Sequence, residues 1–449
     1  MPAGPMTRRC LLAAVASSPA LAVPCSAAAL PHVRIDHPIV PGPFVPARPR
    51  LFRSFILGGF ECSSHRRADG RRLDLIAGTR HDVMVLNDYQ QLAEHGIHAT
   101  RDGVRWNLVE TVPGQYDWSS VLPMLRAAEA TDMQVAWDLF HYGWPDGLDI
   151  FSAAFVDRFA RYAAAFGRLH LQETGRPPIV CPINEMSFFA WAGGDMAKMN
   201  PGTRGRGREL KTQLVRAAIA GIHALRQAAP NTRTLAIEPV IHVVPRREED
   251  TALADAYYNL AQFQAWDMLS GRLAPELGGG PDMLDVLGIN YYWNNQWACE
   301  GHWLSPDRWL CEGEPLSPFD PRHRPLQELL ALVHTRYDRP VFVAETSIEG
   351  DKRAAWLDHV GGQVDAALRA GVPVQGICLY PVLSHPGWDD DRYCPNGLLE
   401  LGDQHNSGRR PVNAALAAGL HRQQLLVEAL FEGGAEAATD GLPRGSAPP

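Results

Sequence analysis

The chain has 449 residues, a formal net charge of −8 and twelve tryptophans. The negative balance argues against nucleic acid as a partner. After the first 30 positions no run of about 18 apolar residues occurs, so no membrane span is expected. The length suits one barrel-sized domain or two smaller ones.

Of the eight cysteines none has Cys-x-x-Cys spacing, so neither a zinc nor a redox site is expected, and no cofactor. Cys62, Cys181 and Cys378 lie in or just after apolar runs and read as small buried hydrophobes, while Cys299 and Cys311 share one loop and could pair.

In chain order, Thr7-Arg8-Arg9-Cys10-Leu11-Leu12 opens an Ala-rich stretch like that of a twin-arginine export signal. Pro19 and Pro24 interrupt it, so a disordered leader on a cytoplasmic protein fits as well. Residues 1–50 are thus read as a leader or arm, 51–430 as one folded domain and 431–449 as a disordered tail. Strands are expected at 55–60, 97–104, 133–139, 179–183, 234–237, 284–289, 341–344 and 374–380. Between them the pattern turns helical at 88–96, 118–131, 155–171, 210–229, 251–270, 325–336 and 352–369. The Trp-, Pro- and Gly-rich stretch 294–322 reads as a long loop. Eight strands alternating with helices predict a single (β/α)8 TIM barrel. A doubly wound open sheet is the competing fold, but no Gly-rich phosphate turn follows the first strand.

In such a barrel the chemistry sits at the carboxyl ends of the strands, where Arg101, His141, Glu185, Glu238, Asn290, Glu345 and Trp388 all fall. Two of these carry the functional argument. Val180-Cys181-Pro182-Ile183-Asn184-Glu185 is an apolar run with a polar tip, followed by the aromatic Ser187-Phe188-Phe189-Ala190-Trp191. Desolvation there disfavours the charged carboxylate and suits Glu185 to work as a general acid. Val341-Phe342-Val343-Ala344-Glu345 repeats the pattern. Two strand-end carboxylates are what cleavage of a glycosidic bond needs, one to protonate the leaving oxygen and one to attack or to activate water.

Further motifs bring a family into view. Phe140-His141-Tyr142-Gly143-Trp144-Pro145 after the third strand resembles a Tyr-His-Trp-Asp-Leu-Pro motif, Asn200-Pro201-Gly202 an Ala-Pro-Gly loop, and Ile289-Asn290-Tyr291-Tyr292 a Leu-Asn-Tyr-Tyr segment. Together with Asn184-Glu185 they resemble the retaining glycoside hydrolases of clan A, most closely the family 1 β-glucosidases, over about residues 55–420. The resemblance implies a β-glycosidase without metal or cofactor, acting on a carbohydrate, with Glu185 as acid/base and Glu345 as nucleophile. It further implies that Asn184 holds the sugar 2-hydroxyl, that Arg101 and Tyr292 orient the nucleophile, and that His141, Asn290, His65 and Trp388 line the substrate site.

The pattern also departs from the family. Thr346-Ser347 follows the nucleophile position where the family has Asn-Gly, and Met186 stands in place of Pro. His65 replaces a glycone-binding Gln, Tyr380 a Trp platform, and Gly387 a Glu that binds distal sugar hydroxyls. These changes keep two other readings open: a barrel that binds a saccharide or activated sugar with little turnover, and a transglycosylase using the same carboxylates. Arg204, Arg206 and Arg208 suit an anionic ligand or, more simply, a solvated loop. The tryptophans beyond the strand ends (Trp144, Trp191, Trp293, Trp297, Trp303, Trp388) suit sugar stacking or core packing. Glu238 and His242 are read as supporting residues.

Overall fold

The structure, a computed structural model, describes residues 46–299, 301–305, 308–311, 314–402 and 408–439. The segment read as a leader lies outside them, apart from its last five residues. Eight parallel strands close into a barrel: β1 (Ile56–Gly59), β2 (Ala99–Gly103), β3 (Gln134–Asp138), β4 (Ile179–Cys181), β5 (Arg233–Pro239), β6 (Val286–Asn290), β7 (Val341–Thr346) and β8 (Val374–Leu379). They follow one another around the ring in chain order, and β8 returns to β1 with Ile377 opposite Ile56. The eight-fold barrel expected from the sequence is the fold observed.

The main helices follow the strands in turn: α1 (His81–Glu94), α2 (Leu122–Ala130), α3 (Ala153–Thr174), α4 (Gly207–Ala228), α5 (Gln264–Leu269), α6 (Leu326–Tyr337), α7 (Arg353–Arg369) and α8 (Ala414–Thr439). Each strand is covered on both faces, which is why the strands read as unbroken apolar runs rather than alternating ones. Leu57, Ala136, Leu235, Ile237 and Phe342 fill the barrel, joined by Cys181 and Cys378 as the small hydrophobes expected. Outside it, α3 buries Phe155, Phe159, Tyr162 and Phe166 on one stripe, the spacing of an amphipathic helix.

Four segments differ from the sequence reading. Helix α1 begins seven residues earlier than its apolar pattern, because its first residue, His81, is buried for its hydrogen bonds. The stretch 251–270 is not one helix; it runs through wide and tight turns (Leu253–Leu260, Ala261–Phe263) before α5. The loop 294–322 contains the strand Gln296–Cys299, parallel to His242–Pro245, and a hairpin of Gly301–Ser305 with Arg308–Cys311. Cys299 is disulfide-bonded, while the side chain of Cys311 lies outside the described residues. The stretch read as a tail begins inside α8, where Leu430 and Phe431 are buried.

His81 Nδ1 lies 2.8 Å from Asp88, and its Nε2 lies 2.7 Å from Asp102. Arg410 grips Asp88 with two bonds of 2.8 and 3.0 Å, tying the loop after β8 to α1. Burial opposes charge on the imidazole, but the two carboxylates outweigh it and raise His81 from 6.5 to about 9. A folded-state value above the unfolded one stabilises the fold below about pH 6.5, and that stabilisation is lost as pH rises through about 9. Between pH 7 and 10 the wild type is therefore expected to lose roughly 2–3 kcal/mol that His81→Gln does not lose. Melting curves of both across this range test it, and parallel curves would refute it.

Candidate active site

At the carboxyl end of the barrel the strand tips converge on a buried polar cluster. Glu185 follows β4 in a left-handed backbone conformation (φ 46°) and donates its N–H to Ile237 O of β5 at 3.0 Å. Few side chains tolerate that conformation, and it aims this one across the barrel mouth. Its carboxylate accepts the Tyr142 hydroxyl at Oε2 (2.6 Å) and the Asn290 amide at Oε1 (2.8 Å). Tyr142 is itself left-handed at φ 67°.

Glu345, on β7, is 2 % exposed. Its Oε2 accepts the Tyr292 hydroxyl at 2.7 Å, and its Oε1 lies 3.3 Å from Arg101 Nη1 and 3.4 Å from Asn184 Nδ2. Arg101, fully buried on β2, also donates to Ala344 O (2.7 Å), Asp138 Oδ2 (2.7 Å) and Asn184 Oδ1 (3.2 Å). Burial works against its charge, yet Asp138 and Glu345 raise its pKa well above the usual value. One guanidinium thus serves two buried carboxylates, an arrangement a lysine could not reproduce.

His141 places Nδ1 3.0 Å from Asp138 Oδ2 and 3.2 Å from Cys62 Sγ, with Nε2 3.4 Å from Asn184 Nδ2. Burial opposes its charge, but Asp138 and Glu61 hold its pKa above the ordinary histidine value. Asn184 meets Tyr142 at 3.2 Å, so Glu185, Tyr142, Asn184 and Glu345 form one hydrogen-bonded chain.

His65 and Trp388 stand beside this chain, edge to face at 5.0 Å, and both contact the Tyr142 ring. Phe188 completes the wall. His65 Nδ1 is buried without a partner among the described residues, and burial pushes the ring down to about 3, a neutral imidazole. All nine residues singled out as site residues therefore lie in one place.

The other candidates lie apart or support it. Glu238, at the end of β5, accepts the Ser187 N–H at 3.1 Å behind Glu185. Burial pushes Glu238 up and Lys211 down, and their opposite charges offset part of this. Burial also lowers His242, to about 4. Arg204, Arg206 and Arg208 are exposed, and Arg206 is bound to Glu209 by two bonds of 2.7 Å, as a solvated loop requires. Trp144 and Trp297 pack inside the molecule, against Phe140 and Tyr258. Trp191 is buried under Lys198, Trp293 is half-buried, and the Trp303 side chain lies outside the described residues.

Two residues were missed. Asp138 is read only as part of the apolar third strand, 133–139, and Tyr142 stands in a motif that gave it no role. For Asp138 a signal was present, since a carboxylate closing a buried strand needs a cation, whereas Tyr142 reaches Glu185 only through its left-handed backbone, which the sequence does not show.

No helix among the described residues is long and apolar enough to cross a membrane. No family model matches the chain, and no curated protein is similar to it in sequence. Solved structures do resemble it. A family 1 β-glucosidase from Thermotoga maritima matches with a TM-score of 0.65 at 16 % identity, over 86 % of this chain and 99 % of that one. A β-glucosidase from the same organism in complex with deoxynojirimycin gives 0.64 at 15 %, over 85 % and 99 %. The monomer of a hyperthermophilic β-glucosidase mutant gives 0.65 at 14 %, over 82 % and 99 %. Over most of its length the chain therefore has the (β/α)8 fold of the family 1 β-glucosidases, at a sequence distance that marks it as divergent from them.

Proposed function

We propose that the protein is a retaining β-glycosidase whose catalytic unit is the barrel of residues 51–430. The observation that carries this reading is the contrast between two strand-end carboxylates. Glu345 is met by a guanidinium, a phenol and an amide, three donors that fix its carboxylate in place to act as a nucleophile. Glu185 accepts from the neutral donors Tyr142 and Asn290, and the Tyr142 ring beside it packs on Phe188 and Trp388. That environment suits a group that gives up a proton to the leaving oxygen and later takes one from water.

The steps follow from these roles. Glu345 attacks the anomeric carbon as Glu185 protonates the departing oxygen, giving a glycosyl-enzyme ester. Water, deprotonated by Glu185, then attacks the same carbon and releases the sugar with its original configuration. Asn184, bonded to both sides of the site, is suited to the hydroxyl next to the reacting carbon. His141, His65 and Trp388 offer polar edges and a ring to the rest of the glycone.

Turnover of a panel of aryl β-glycosides, including uronides and 6-phospho sugars, tests the reading. Saccharide binding by calorimetry with no turnover of any member would transfer the assignment to a sugar-binding barrel, which Gly387 and Tyr380 favour. Tyr142→Phe, which removes one bond to the proposed acid, should lower kcat about tenfold or more on substrates with poor leaving groups and less on activated ones. An equal loss on both classes would place Tyr142 outside the proton transfer.

A further inference from the structure

Beside the proposed site, Cys62, which the glycosidase reading leaves without a role, meets Asp138 and the glycone-side His141 in a compact group of three donors. Cys62 Sγ, His141 Nδ1 and Asp138 Oδ2 lie 3.2, 3.0 and 3.8 Å from one another. Each is 4 % exposed or less. Cys62 lies just beyond β1, Asp138 ends β3, and His141 follows it, so the thiol is 76 and 79 residues from its neighbours in sequence. That separation is why cysteine spacing gave no sign of a metal.

We propose that Cys62, Asp138 and His141 form a binding site for a divalent zinc-class cation. Zinc bonds of about 2.0–2.3 Å to nitrogen, oxygen and sulfur put neighbouring donors roughly 3.3–3.6 Å apart, and the three observed separations bracket that range. A thiolate, an imidazole and a carboxylate are the donors zinc prefers over harder ions, and three of them leave a fourth position open.

A second observation points the same way. Asp138 Oδ2 faces Cys62, His141 and Arg101 at once, while Oδ1 of the same carboxylate is buried with no partner among the described residues. A carboxylate with one crowded and one idle oxygen can take a metal and keep its guanidinium, and Arg101 then acts as the outer hydrogen bond that metal-binding carboxylates commonly accept. Tyr380 Oη, 3.7 Å from the sulfur, is placed to donate to the thiolate. On binding, the Cys62 thiol releases its proton to solvent. His141 coordinates through Nδ1 and carries its proton on Nε2, the nitrogen 3.7 Å from Glu61.

The test does not depend on turnover. Purified full-length protein, stripped with chelator, is titrated with zinc chloride against a chromophoric zinc chelator, and in parallel with cobalt chloride in the spectrophotometer. The expected result is one zinc per chain, and a cobalt complex showing thiolate-to-metal charge-transfer absorption. Cys62→Ser should abolish that absorption and weaken zinc binding by more than about 100-fold, beyond the roughly 10–100-fold that outer partners contribute. Absence of stoichiometric zinc from the wild type, or zinc binding unchanged in Cys62→Ser, would overturn the site. The cobalt spectrum of the wild type keeps the test valid should the variant fail to fold. A protein that binds zinc yet turns over no glycoside would leave this site standing and remove only the hydrolase reading.

Discussion

Glu345→Ala is expected to lower turnover of an activated aryl β-glycoside by roughly 10⁴–10⁶-fold, the scale seen when a covalent nucleophile is removed. The variant should still bind sugar, because Asn184, His141 and Trp388 are untouched. Azide fits the space the carboxylate leaves and can attack the anomeric carbon from the same side. It should restore the rate and yield a glycosyl azide of inverted configuration. Glu185→Ala should behave differently. Its loss, about 10²–10⁴-fold, should grow as the leaving group worsens, since only poor leaving groups need the proton. Azide then intercepts the glycosyl-enzyme and gives a product of retained configuration. Azide products of the same configuration from both variants, or a Glu345→Ala rate within tenfold of wild type, would remove the assignment of roles.

Arg101→Met should be the most damaging single change to the fold. Arg101 holds Asp138 and Glu345, both buried, and donates to Ala344 O and Asn184 as well. Methionine fills much of the volume but leaves two carboxylates without their cation. Breaking a buried pair in this way costs about 3–5 kcal/mol. For a barrel of this size that corresponds to a fall in Tm on the order of 5 °C. Arg101→Lys keeps the charge without the forked donors, and an intermediate Tm is expected. Calorimetric melting of the three proteins decides it: an Arg101→Met variant that melts with wild type would show that Asp138 and Glu345 do not depend on this cation. Acid should narrow the gap, because Asp138, although burial alone would raise it, is held below the usual carboxylate range by Arg101 and His141.

The barrel was legible in the sequence because each of its strands is buried on both faces and each ends in polar residues. Glu185, Glu345 and Arg101 stood out for a related reason, since a charged group at the end of a buried strand is costly unless something meets it. Asp138 was hidden because two of its three partners, Arg101 and Cys62, come from β2 and from beyond β1. Tyr142 was hidden because a left-handed turn, not its place in the motif, carries its hydroxyl to Glu185. The stretch 251–270 misled by composition. Its alanines and leucines favour a helix, but Asn259 and Gln262 each bond both to a backbone N–H and to a backbone C=O of residues 241–243. The two amides act as an extra edge to that segment, and the helix alters its pitch to present them.

Gly59 carries a consequence for how this sequence can change. A Cβ there would lie 2.2 Å from the Tyr380 ring and 3.0 Å from Cys378 Sγ. The same ring has the Arg101 guanidinium 4.9 Å from its centre. Any larger residue at 59 must therefore await a smaller one at 380, and a smaller one at 380 strips a neighbour from Arg101. The first step is closed while Tyr380 stays, and the second is open only at a cost to Arg101. The two positions are therefore coupled, and the costs of changing both are expected to fall well short of the sum of the single costs.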